Sequence, residues 1–131
     1  MTNPIAKFLM LGATLAFISG CTTLGDARNA EGSGVKRTYQ ATVKQTWDAS
    51  LTALKNLNLS IASENEQKGY ILAQRGVSAF SYGENIALFV RKQSESSCTV
   101  EVVSKKAMTT NIFAPDWSQD VHKEIASQLR R

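Results

Sequence analysis

The sequence predicts an α+β fold: a two-layer sandwich whose antiparallel sheet of four to five strands carries two helices on one face, in the order β-α-β-β-β-β-α. Three observations lead there. Trp47, Leu51, Leu54 and Leu57 recur at spacings of three and four, and Trp117, Val121, Ile125 and Leu129 recur every four, so each segment has one apolar stripe of helical period. Between them lie four short apolar or alternating runs, and the polar turns 64–69 and 94–97 are short enough to favour antiparallel pairing. A chain of 131 residues suits a single domain, in which two one-sided helices can share a sheet face.

A first strand is expected at 35–43 (VKRTYQATV), followed by a helix at 43–57 with Lys44, Asp48 and Lys55 mostly on its polar side. Leu59 and Ile61 alternate with Ser60 and Ala62 and begin a second strand. Residues 70–75 (YILAQR) form the third and 86–93 (IALFVRKQ) the fourth, separated by the looser 76–85 with Phe80 and Tyr82. The fifth, 98–104 (CTVEVVS), puts Cys98, Val100 and Val102 on one face and Thr99 and Glu101 on the other. After a loop at 105–115, Asp116 and Gln119 have the spacing of a capping box for the last helix, and Arg130 and Arg131 suit its C-terminus.

Composition narrows the function classes. One His and two Cys are too few for a tetrahedral zinc site of those ligands, so no metal or cofactor is expected. A net charge of +4 without clustering on one face argues against a nucleic-acid partner. His122 is the only His and no Gly-x-Ser-x-Gly elbow is present, so it reads as a partly exposed helix residue and not as a catalytic base. Glu64 and Glu66 share a turn with Lys68 and read as solvated; Gly69, Gly76 and Gly83 form no phosphate loop. No catalytic residue is assigned, and the chain is expected not to be an enzyme.

The N-terminus reads as an address. A short basic n-region containing Lys7 precedes the apolar run 8–18, which as a helix spans about 16 Å, half of a hydrocarbon core. It is a signal-peptide h-region by length, not a transmembrane span. Ile18-Ser19-Gly20-Cys21 resembles the lipobox of bacterial lipoproteins. That resemblance implies cleavage between Gly20 and Cys21, a diacylglyceryl group on the Cys21 thiol and an acylated amine. Several acyl chains anchor far more firmly than one. Thr22, where an Asp would signal inner-membrane retention, implies the outer membrane, most simply its periplasmic face. Residues 1–20 are then the signal, 21–34 the lipidated Cys and a flexible tether spanning roughly 20 Å, and 35–131 the folded domain.

The whole pattern is similar to small proteobacterial lipoproteins that carry one α+β domain behind a lipobox. The similarity rests on Tyr39 to Val43 leading into Trp47 and Ala53-Leu54, on Gly69-Tyr70-Ile71, on Thr99-Val100-Glu101-Val102 and on the terminal amphipathic helix. The order of elements also resembles the repeated domain in the third lipoprotein of the outer-membrane β-barrel assembly complex. These likenesses imply a membrane-anchored, non-enzymatic accessory or scaffold with an envelope protein as partner. The alternative is a binding module for a lipid or cell-wall fragment, held in a groove between helices and sheet with Phe80, Tyr82 and Phe113 at its mouth.

Two connections carry the candidate contact residues: Phe80 and Tyr82 in one, Met108, Ile112 and Phe113 in the other. Such side chains either dock a partner or fold back as a lid on the core, the expectation for a small domain. Lys105 and Lys106 with Arg91 and Lys92 suggest a basic edge. Cys98 is expected to pack inward, with an intermolecular disulfide as the other reading.

Overall fold

Local signals set most boundaries. The first strand, β1 (Val35–Tyr39), ends four residues before the sequence suggests. Thr42 caps the following helix, its hydroxyl accepting from Gln45 N while the Gln45 side chain accepts from Thr42 N. This reciprocal box fixes the start of α2 (Val43–Asn56) and ends strand geometry before it. Asn58, with φ 57°, takes the left-handed conformation that terminates the helix, and Leu59 N bonds Leu54 O at 2.9 Å. The computed structural model, which describes residues 21–76, 83–108, 110 and 112–131, continues with β2 (Ser60–Asn65), β3 (Tyr70–Arg75), β4 (Glu84–Ser94), β5 (Ser97–Lys106) and α3 (Ser118–Leu129).

The strands form one antiparallel sheet in the order β1-β5-β4-β3-β2. Strands β2 to β5 meander, with the β4–β5 hairpin in register from Glu84 opposite Lys106 to Ser94 opposite Ser97. β1 closes the far edge against β5, pairing Val35 with Val102 and Tyr39 with Cys98. α2 therefore crosses the sheet from one edge to the other, and α3 lies beside it. Their apolar stripes meet Ile71, Ala73, Ile86, Leu88, Val90, Cys98, Val100 and Val102 in one buried core around Trp47, Leu54, Val121 and Ile125. This is the α+β sandwich with two helices on one face.

The opposite face is also covered, by the segment expected to be a flexible tether. Leu24–Asn29 folds as a short helix, α1, whose Ala27 is fully buried on Leu72, Ala87, Phe89 and Val103. Its cap is another reciprocal box: Thr23 Oγ1 accepts from Asp26 N at 3.2 Å, and Asp26 Oδ2 accepts from Thr23 N at 2.6 Å. That bond to the Thr23 backbone holds the Asp26 carboxyl below the usual range. The chain returns to β1 through Gly32 and Gly34, whose N–H groups both donate to the buried Glu101 Oε1 at 2.7 Å. A Cβ at Gly34 would collide with the Val102 carbonyl, so only glycine fits this approach. Arg91 ties the segment further, pairing with Glu31 at 2.8 Å.

The start of α3 differs from the expected box. Trp117, not Asp116, is the cap residue, and Asp116 Oδ1 accepts from Ser118 N at 2.9 Å. Gln119 reaches sideways to Arg37 of β1 instead of back to the cap. The helix covers the core with Val121 and Ile125, while Leu129 packs at its edge.

Ile125→Ala should lower stability by about 2–5 kcal/mol in urea unfolding, the loss of buried methylenes plus a cavity. Ala27→Leu should cost about 1–3 kcal/mol by overpacking α1 against the sheet. An unchanged midpoint for Ala27→Leu would mean that α1 does not sit on this face.

Candidate functional site

The described candidate residues, Cys21, Met108, Ile112 and Phe113, lie in or beside the segments at the end of the sheet where β4 begins and β5 finishes. Glu84 and Lys106 face each other there, and the connection from β5 to α3 begins at this end, beside Cys21. Cys21 is exposed and forms an antiparallel bridge with Met108. Thr22 is held from three sides. Its N–H donates to Ala107 O at 2.9 Å, its hydroxyl donates to Lys106 O, and its carbonyl accepts from Asn85 Nδ2 at 2.9 Å. The Cys21 sulfur thus starts one residue from a clamped backbone and not at the end of a long free tether. Gly20, the other residue of the expected cleavage site, lies outside the described residues, as do Phe80 and Tyr82.

Beyond the half-buried Met108, the connection carries Ile112 and Phe113, which are 73% and 79% exposed. The expected core lid is therefore wrong for this pair, whose side chains stand largely in water. Lys105 and Lys106 share this end with Arg75. Arg91 and Lys92 do not. Lys92 stands opposite Cys98, roughly 26 Å along β4 from Glu84, so the two basic pairs form no common edge.

At the same end Trp117 joins a polar cluster that the sequence did not single out. Its indole N–H donates to Glu84 Oε2 at 3.4 Å, and the Arg75 guanidinium lies 4.8 Å from its ring centroid. Glu84 is almost wholly buried and stands opposite Arg75 across β3 and β4. In sequence Trp117 is simply the first member of the helical stripe. Only the register brings it to Arg75 and Glu84.

Three residues with potential for nucleophilic or acid–base chemistry, His122, Tyr39 and Cys98, are engaged in packing. His122 is fully buried, not partly exposed. Its Nε2 lies 2.8 Å from Val35 O, which can only accept, so Nε2 carries the hydrogen and Nδ1 accepts from the Tyr39 hydroxyl at 2.7 Å. Burial, reinforced by Arg37 nearby, holds the imidazole below its ordinary pKa of 6.5 against the opposing Val35 bond. Burial also lifts the Tyr39 phenol to about 12. Cys98 is buried, its thiol donating to Arg91 O at 3.3 Å, and burial pushes its pKa up. It cannot reach a second chain while the core is closed. Glu64 lies in β2, and Glu66 opens the exposed turn that follows.

Among the described residues, a concave surface lies outside the helix–sheet interface. A cleft of about 440 Å³ lies between the start of α2 and the end of α3 and is lined largely by Gln40, Gln45, Asp48, Gln128 and Arg131. Among the described residues the space between helices and sheet, where the alternative reading placed a ligand groove, is occupied by core side chains, and Phe113 is exposed. Among the described residues no helix is long and apolar enough to cross a membrane. The chain matches no model of a protein family and no curated protein.

The buried His122 gives the fold a pH dependence of defined sign. Its proton affinity is lower folded than unfolded, so its contribution is complete above about pH 6.5 and is lost as pH falls below that value toward the lower folded one. Unfolding midpoints should therefore drop between pH 7.5 and pH 5. His122→Gln should be less stable at pH 7.5 but flatter across that interval; an equal slope would assign the dependence to other groups.

Proposed function

We propose that the chain is a lipoprotein of the outer membrane, anchored through acyl groups on Cys21 and facing the periplasm. There its α+β domain serves as a non-enzymatic accessory or scaffold in an envelope protein assembly. The observation that carries the reading is the position of Cys21. It follows Ile18-Ser19-Gly20 in sequence and stands exposed at the end of the sheet, clear of the core. A thioether there can carry acyl chains without disturbing a packed residue.

The non-enzymatic part is supported by what the reactive side chains do. His122 holds β1 to α3, and Cys98 fills the core under α2, so both contribute to the fold through burial. The order of elements from β1 onward supports the likeness to single-domain lipoproteins and to the repeated domain of the assembly-complex lipoprotein. A filled helix–sheet interface favours surface contacts with a protein over an internal lipid or cell-wall ligand.

Intact mass and membrane fractionation of the full-length protein beside Cys21→Ser test this. The expected mass corresponds to a chain beginning at Cys21 plus acyl groups, found in the outer-membrane fraction, with Cys21→Ser unacylated. An unmodified soluble chain would overturn the anchor. Crosslinking in intact envelopes should then return a discrete partner, and recovery of abundant bystanders alone would count against the scaffold role.

A further inference from the structure

We infer that the end of the sheet bearing Cys21 is a membrane-resting surface. Ile112 and Phe113 enter the interface of the lipid leaflet, and Lys105 and Lys106 lie over anionic headgroups. The inference rests on the anchor reading and goes beyond it, because an anchor alone leaves orientation free.

Geometry restricts that freedom. Thr22 is clamped to Lys106, Ala107 and Asn85, and consecutive Cα atoms are 3.8 Å apart. Acyl chains on the Cys21 sulfur would therefore begin at the sheet end itself. A domain on a 20 Å coil could tumble above the bilayer; one whose anchor adjoins a clamped residue has to present this end to it.

That end has the chemistry of a lipid contact. Among the described residues Ile112 and Phe113 are the large apolar side chains left exposed, they are adjacent, and they follow Met108, the bridge partner of Cys21. An aromatic and an aliphatic side chain gain by leaving water for the headgroup–acyl boundary, roughly 5–10 Å deep. Lys105 and Lys106 close β5 immediately before this connection, and each basic residue near an anionic leaflet contributes about 1 kcal/mol. Asp26 lies near Lys105, and exposed Asp116 follows in the same connection, so the attraction of the lysines is partly offset and the apolar pair carries more of the contact.

The test uses full-length lipidated protein with Phe113→Trp, reconstituted in vesicles of phosphatidylethanolamine and phosphatidylglycerol, with brominated acyl chains as quenchers. Ser96→Trp, in the hairpin turn at the opposite end of the sheet, is the control. With the parent protein, whose Trp47 and Trp117 set the baseline, subtracted, the emission added by Phe113→Trp should lie to the blue and fall with brominated lipid, while that added by Ser96→Trp should do neither. A second variant, Lys105→Glu with Lys106→Glu, should reduce the quenching at 113 without changing the acylated mass. Equal quenching at 113 and 96 would overturn the proposal. So would shielding at 113 from acrylamide in native outer-membrane fragments but not in vesicles, which would assign the surface to a protein partner. Intact mass of the same sample separates the two ideas. A sample without acyl groups removes the anchor, and the same comparison with unacylated protein added to anionic vesicles then decides whether the surface itself takes up lipid.

Discussion

The β4–β5 hairpin at the middle of the sheet is apolar on both sides. Ile86, Leu88, Val90, Val100 and Val102 face α2 and α3, while Ala87, Phe89 and Val103 face the other way. A sheet with one wet face would need a single layer of helices. This one needs two covers, and the two helices at hand can supply only one. The segment between Cys21 and Gly34 supplies the second, so the N-terminal approach becomes part of the domain. The clamp on Thr22 and the position of Cys21 beside the β5–α3 connection both follow from that need.

Polar groups sit where this second layer and the edge strand must be held in one place. Glu101 is buried at the seam between α1 and β1, where two backbone N–H groups converge on one of its oxygens and Lys36 approaches the other at 3.9 Å. The Tyr39–His122–Val35 bonds do the same between β1 and α3. Each joins segments more than sixty residues apart in sequence, where apolar contact alone would tolerate sliding. Glu101, Tyr39 and His122 thus act as fasteners between distant segments.

Legibility followed the range of the signals. β3 is read at both ends because its neighbours are Gly69, in a turn at φ 67°, and Gly76. The limits of α2 are set by Thr42, Gln45 and Asn58, all local. α1 escaped because six residues containing Gly25 give no periodicity, although Thr23 and Asp26 have capping-box spacing. The continuous apolar run IALFV could have signalled a strand buried on both sides. The burial of His122 was not readable, since its partners Tyr39 and Val35 lie in another element. Nor was the fate of Ile112 and Phe113. Whether an apolar residue in a connection turns in or out depends on how full the core already is, and sequence does not measure that.

The pairing of β1 with β5 sets an order of assembly. Val35 has to find Val102, and the α1 segment has to find Phe89 and Val103, yet these partners are made fifty or more residues later as a chain grows from its N-terminus. Everything from Cys21 to Tyr39 therefore waits, unpaired, until the final hairpin exists. The β3–β4–β5 meander can form on its own local contacts, leaving one exposed apolar face until the early residues return to close it. A chain built this way stays open through most of its synthesis. Its N-terminal residues are the last part to become inaccessible to anything that must act on them as an extended strand.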